Sequence, residues 1–155
     1  MPIIETHNKE PSNAQIAIQL VADIETIIQP QDAWSYQTIT ELLAQESIDL
    51  LIVYQSDKVV GYCLYQALFE QAEILRIGTH PDYQRQGIAS QLFKVLNKGL
   101  QDNKVESLLL EVRADNLPAI ALYERQGFIV IHQRKGYYSQ PNQPAIDALI
   151  MQLTF

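Results

Sequence analysis

The segment from Ile48 to Thr79 leaves this chain the least freedom. Two runs rich in β-branched and aromatic residues, IDLLIVYQ and KVVGYCLYQALF, are separated only by Ser56 and Asp57. A two-residue break between such runs reads as an antiparallel hairpin. AEILRIGTH adds a third strand of the same group and ends at Pro81.

The flanking segments supply the rest of a sheet and the helices to cover it. PIIET is a short first strand, and PSNAQIAIQLVADIETII opens with Pro and a Ser/Asn cap and carries Ile16, Leu20, Ile24 and Ile27 on one helical face. SYQTITELLAQ reads as a second helix. From Gly87 the apolar positions Ile88, Leu92, Val95, Leu96 and Leu100 recur at helical spacing. VESLLLEVRA follows with the nearly continuous apolar run of a strand buried on both faces. NLPAIALYERQG is a short helix from an Asn116 cap to a Gly127 stop, and FIVIHQRKGYY and AIDALIMQLTF finish the chain as strands. The order β, α, α, β, β, β, α, β, α, β, β predicts a mixed sheet with helices on both faces, an α/β or α+β fold. No repeat or long linker divides the sequence, so residues 1–155 are expected to form one domain.

Charge narrows the partners. The net charge of −7 argues against nucleic acid, whose binders need a basic stripe to displace counterions. Residues 1–75 hold eleven acids against two bases, whereas residues 76–155 hold seven acids against nine bases. Such halves suit a cationic and an anionic ligand respectively, or simply a solvated acidic surface. No apolar run approaches a membrane span, MPIIETHNKE lacks the pattern of a secretory leader, and Cys63 stands alone. No membrane association is expected, and a reducing cytoplasm is the expected setting.

Within YQRQGIAS, a turn of Gln, Arg and Gly opens the third helix and offers free backbone N–H groups to an anion. Alone it reads as an ordinary helix start, since small residues are common there. Further glycines and a Gly-Lys-Ser/Thr are missing, so it is neither a dinucleotide fingerprint nor a Walker loop. Glu111 interrupts the apolar LLLEV as either a working carboxylate or a strand-end partner for a base such as Arg113. His7, His80 and His132 have no metal-ligand spacing, and no metal is expected.

Two motifs together carry a resemblance. Gln84-x-x-Gly87-x-Ala89 after HPDY is similar to the pyrophosphate loop of the GNAT superfamily of acetyl-CoA-dependent N-acetyltransferases. Asn116-x-x-Ala119-x-x-Leu122-Tyr123-x-x-x-Gly127-Phe128 resembles that superfamily's second motif, at fitting distance. PDYQRQG, LEVRADN, AIALYE, GF and RKGYY…DALIM resemble in particular the bacterial ribosomal-protein-alanine N-acetyltransferases, over about residues 75–153.

The resemblance implies a GNAT fold, with a mostly antiparallel sheet of about seven strands and a V-shaped opening between the strand ending near Thr79 and the strand of Glu111. Ile77, Gly78 and Thr79 would pair with the pantetheine arm of acetyl-CoA. The small residue at Gly78 is not expected to disable that pairing. Arg85, Gln86, Gly87, Ile88, Ala89 and Ser90 would hold the pyrophosphate, and Asn116 and Tyr123 would contact the arm. It further implies Glu111 as general base and Tyr123 as general acid. Trp34, Tyr137 and Tyr138 are candidates for an acceptor pocket, although Trp34 suits a core equally. Residues 1–75 would build mainly the acceptor side and residues 76–155 mainly the acetyl-CoA side. The acceptor implied is a basic protein N-terminus; a lysine or small amine, or a sensing module without turnover, are the alternatives.

Overall fold

The computed structural model describes residues 2–6 and 11–155, with residues 6 and 11–14 described in backbone only. His7 lies outside the described residues. The strands are β1 (Ile3–Thr6), β2 (Ile48–Gln55), β3 (Lys58–Leu68), β4 (Gln71–Thr79), β5 (Ser107–Arg113), β6 (Ile129–Tyr138) and β7 (Ile146–Thr154). The helices are α1 (Pro11–Ile28), α2 (Tyr36–Leu43), α3 (Ile88–Asp102) and α4 (Leu117–Arg125), in the order the sequence predicts. Seven strands form one sheet in the order β1-β2-β3-β4-β5-β7-β6. Every pair is antiparallel except β4 with β5.

Local chemistry explains the hairpin. Ser56 and Asp57 both adopt left-handed backbone, φ 53 and 64. This is the two-residue turn whose twist matches that of its strands, and a short polar residue tolerates it. Helices cover both faces. On one, α1 and α2 bury Val21, Ile39, Leu50, Ile52 and Tyr62; on the other, α3 and α4 bury Leu92, Phe93, Leu108, Tyr123 and Met151.

Three expectations from periodicity are corrected. In α1, Ile16, Leu20 and Ile27 are 67%, 37% and 55% exposed, and only Ile24 of the expected face is buried. The helix is apolar around much of its circumference, so spacing alone does not choose the inner side. The buried side carries Ala17, Val21 and Ala22, small enough for close approach, together with the carboxylate of Glu25. Similarly, β5 buries one face, not two: Leu108, Leu110 and Val112 are buried, while Leu109 is half-buried and Glu111 reaches solvent. Its other face looks onto a half of the sheet that α1 and α2 do not cover. In α3, Val95 is likewise exposed beside the buried Ile88, Leu92, Leu96 and Leu100.

No described helix is long and apolar enough to cross a membrane. A depression of ≈380 Å³ between α1 and α2, lined by Gln15, Ile16, Gln19, Leu20 and Tyr36, shares no residue with the two sequence motifs.

Candidate active site

The sheet is split at its centre. β4 and β5 pair only through Gln71↔Ser107, Ala72↔Leu108 and Glu73↔Leu109. Immediately beyond, β4 is irregular: Ile74 pairs with Tyr65 but Arg76 with Leu64, which leaves Leu75 as an extra residue. Such a bulge bends its strand and ends regular pairing. From there to Thr79, β4 remains paired with β3 and presents its β5-facing edge without a strand partner among the described residues. An unpaired strand edge can accept an extended ligand as an added strand. The candidate arm-binding residues Ile77, Gly78 and Thr79 lie on this stretch.

Gly78 has a packing role of its own. A Cβ built there would sit 2.7 Å from Tyr62 Oη and 2.9 Å from Ile28 Cδ1, so the ring of Tyr62 fills the space that a side chain would take. Gly78→Val is therefore expected to lower unfolding stability by about 1 to 3 kcal/mol, as overpacking does. An unchanged denaturant midpoint would show that Tyr62 can move aside.

At the end of β4, Gln84 Nε2 donates to the Thr79 carbonyl at 3.3 Å, which ties the loop back to the strand. Arg85 and Gly87 both take left-handed backbone, φ 62 and 79. Such turns form anion-binding concavities, and Arg85 adopts one without being glycine. Nothing lies within 4 Å of a Cβ built on Gly87, so the approach is open. Gly87 supplies no capping side chain to α3, leaving the first-turn N–H groups of Ile88, Ala89 and Ser90 for another acceptor. The Ile88 side chain belongs to the core, whereas Arg85, Gln86 and Ser90 are exposed. Gln126 Nε2 donates to Ser90 Oγ at 3.1 Å and joins the end of α4 to this turn. The geometry fits a phosphate-bearing ligand whose arm runs along β4.

Asn116 caps α4, its Oδ1 accepting from the Ala119 N–H at 3.3 Å, and Gly127 ends the segment at φ 100. Tyr123 is 8% exposed and packs edge-on against Phe93 and Phe128, with ring centroids 6.1 and 5.9 Å away. Burial pushes its phenol up to about 12, so it is protonated at neutral pH. The Cys63 thiol, opposite Ile77 in the β3–β4 register, lies within electrostatic reach of this phenol. Burial also pushes the Cys63 thiol up, which removes its thiolate character.

Glu111, Tyr137 and Arg134 meet at a cavity of ≈300 Å³ also lined by Glu73, Leu109, Leu110 and Ile150. Tyr138 Oη donates to Glu111 Oε2 at 3.4 Å, and Arg134 Nη1 is 3.6 Å from Glu111 Oε1. Arg113, the partner that the sequence suggested for Glu111, pairs instead with Asp115 at 3.0 Å. It projects on the same strand, but a short loop offers it a bidentate carboxylate. Burial, then the Glu111 charge, pushes Tyr138 up to about 12 and keeps it a neutral donor.

Trp34 does not line this cavity. Its ring lies under the Arg76 guanidinium at 4.7 Å, and its backbone N–H donates to Glu25 Oε1 at 3.2 Å. Its partly buried ring packs against the α1–α2 core, so the core alternative holds for much of this side chain. The loops nevertheless converge: Gln140 Nε2, beyond β6, donates to Gln31 Oε1, before α2, at 2.9 Å.

Sequence reasoning missed Glu25, which is fully buried and accepts from Tyr62 Oη, from Arg76 Nε at 2.7 Å and from the Trp34 N–H. The signal was available as an acid within an apolar helical run, the kind of interruption that drew attention to Glu111. Arg134 and Asp147 were missed as well: Arg134 stands among polar residues in HQRKG, where no local pattern singles it out, and Asp147 interrupts the apolar AIDALIM as Glu111 interrupts LLLEV. His80 is a loop residue whose Nδ1 accepts from the Asp82 N–H at 3.1 Å. Among the described residues no group of three His, Cys, Asp or Glu could hold a metal ion.

Residues 18–128 match the Acetyltransferase (GNAT) family. The chain is 35% identical over 120 residues to [Ribosomal protein bS18]-alanine N-acetyltransferase of Escherichia coli (strain K12), an alignment spanning 77% of this chain and 80% of that protein. It superposes on the crystal structure of the ribosomal-protein-S18-alanine N-acetyltransferase from Escherichia coli with a TM-score of 0.87 and 30% identity, covering 99% of this chain and 94% of that one. A GNAT family acetyltransferase from Elizabethkingia anophelis with acetyl-CoA bound shares the fold, with a TM-score of 0.75, 18% identity, and 99% and 98% coverage.

Proposed function

We propose, from the premise that the chain belongs to the GNAT family of acetyltransferases, that this acetyl-CoA-dependent N-acetyltransferase acts on the N-terminal α-amino group, an alanine, of a ribosomal protein in the cytoplasm. The observation that carries the reading is the split between β4 and β5, with an uncapped helix start at one end and a Glu111-lined cavity beside it.

Acetyl-CoA supplies the acetyl group as a thioester. Ile77, Gly78 and Thr79 hold its arm along the free edge of β4, while Arg85 and the N–H groups through Ser90 take the pyrophosphate, with Asn116 and Tyr123 beside the arm. An N–H near Ile77 or Gly78 polarises the carbonyl. Glu111 takes a proton from the acceptor amine through water, and Tyr123 gives one to the departing thiolate. The buried Cys63 is no acetyl carrier, so transfer is direct within a ternary complex.

The acceptor assignment has a physical basis. An α-amine of pKa about 8 is roughly 10% neutral at pH 7, while a lysine near 10.4 is only roughly 0.04% neutral. The difference is a handicap of about 3 to 4 kcal/mol for lysine at a site whose base works through water. Tyr137 and Tyr138 beside Glu111, with Trp34 on the facing loop, frame the acceptor. The acidic first half of the chain suits a basic peptide. Since Glu111, Arg134 and both tyrosines come from the second half, the acceptor side draws on both halves of one domain.

Mass spectrometry of N-terminal alanine peptides, lysine peptides and polyamines incubated with acetyl-CoA tests the assignment. Acetylation at the peptide α-amine is expected; preference for lysine or a polyamine would overturn it. Glu111→Gln is expected to lower turnover on the order of tenfold, most at low pH where free amine is scarce, since glutamine still orients a water but takes no proton. Equal rates at every pH would leave Glu111 only as a partner of Arg134.

A further inference from the structure

The end of β6 departs from regular pairing. Its register runs Arg134↔Ala148 and then Tyr138↔Ile146, so residues 135–137 lie opposite Asp147 alone. Regular pairing from Arg134 would place Gly136 opposite Ile146 and carry Tyr138 about 7 Å further along the strand, two residues at the usual rise. The bulge is what brings Tyr138 Oη to 3.4 Å from Glu111 Oε2. It also places Tyr137 in the wall of the cavity, edge-on to Tyr138 with centroids 5.3 Å apart.

Asp147 closes this bulge. Its Oδ1 accepts from the Gly136 N–H at 2.8 Å, and its Oδ2 accepts from Gln133 Nε2 at 2.6 Å. Gly136 takes φ 62, which turns its N–H out of the ladder and toward the carboxylate. The Asp147 carbonyl accepts from the Ala114 N–H at 2.9 Å, which anchors the same residue to the end of the Glu111 strand. One residue thus joins the base's strand to the segment that carries both tyrosines.

We propose that Asp147 is a positioning residue of the acceptor site, fixing the β6 bulge that seats Tyr138 on Glu111 and Tyr137 in the cavity. The inference rests on the acceptor site assigned above. It predicts a selective defect, because the hydrogen bonds of the Asp147 carboxylate and carbonyl run to β6 and to the end of β5.

Steady-state kinetics of Asp147→Ala and Asp147→Asn against both substrates test it. Asp147→Ala is expected to raise the acceptor KM about tenfold, a loss typical of misplaced binding groups, with the acetyl-CoA KM near wild type. Asp147→Asn keeps an oxygen for the Gly136 N–H and is expected to restore the acceptor KM. The inference is overturned by an unchanged acceptor KM in Asp147→Ala, by an equal rise in both KM values, by Asp147→Asn being as impaired as Asp147→Ala, or by loss of acetyl-CoA binding in Asp147→Ala, which would mark a general folding defect. The series is run with whichever amine the wild-type enzyme accepts. An error in the α-amine assignment therefore appears in the wild-type protein, and an error in the Asp147 assignment only in the ratio between variants.

Discussion

Tyr123→Phe is expected to lower kcat about 100-fold while leaving acetyl-CoA affinity within a factor of two of wild type, the loss that removal of a general acid produces. This corresponds to about 2.7 kcal/mol of transition-state stabilisation. Phenylalanine keeps the edge-on contacts with Phe93 and Phe128, so the α4 packing that holds the motif is preserved. The phenol, pushed up to about 12 by burial, is protonated throughout the range in which the acceptor amine is free to react. Its loss should therefore lower the plateau of the pH–rate profile without moving the amine-dependent limb. Calorimetry of acetyl-CoA binding alongside single-turnover rates separates the two effects. A kcat within twofold of wild type would return Tyr123 to a purely structural role beneath Phe93.

The parts of this site that were legible in the sequence are those encoded by neighbours in the chain. Gly87 and the polar residues before it mark a helix start, Asn116 and Gly127 bracket α4, and Ser56-Asp57 specifies the hairpin turn; each acts over a few residues. Both motifs and the element order follow from such signals. The side of α1 that faces the sheet was not legible, because Ile16, Leu20 and Ile27 compete with Ala17, Val21 and Ala22 and only the shape of the facing sheet decides between them. The two-sided burial expected of β5 failed for a related reason. An apolar run reports what a strand can bury, whereas the divergence of β4 from β5 decides what it does bury. The partner of Glu111 was illegible too, since Arg134 reaches it only through the β5–β7–β6 order, which brings a distant segment two strands away.

Replacement of Glu25 by Ala is expected to destabilise the protein by about 3 to 5 kcal/mol, the penalty for removing one partner of a buried ion pair. Glu25 is fully buried, and the Arg76 side chain is 12% exposed. Without the carboxylate, the guanidinium keeps the Asp32 carbonyl at 2.7 Å, the solvent-exposed Asp32 side chain and the face of the Trp34 ring, none of which replaces a buried counter-charge. Tyr62 would lose its acceptor inside the core, and the Trp34 N–H would lose its own. For a chain of this size such a loss lowers Tm by roughly 10 °C. The triple variant Glu25→Leu, Tyr62→Phe, Arg76→Met should be less damaging than Glu25→Ala alone, because apolar groups of similar volume strand no charge and no hydroxyl. Denaturant unfolding of wild type, the single variant and the triple variant decides the matter. A single-variant loss below about 1 kcal/mol, the scale of exposed pairs, would mean that water reaches the network. A triple variant worse than the single would mean that these polar groups contribute net stability where they stand. If the triple variant is stable but slow toward the acceptor, the network's role is to seat the Trp34 loop on β4 rather than to hold the fold together.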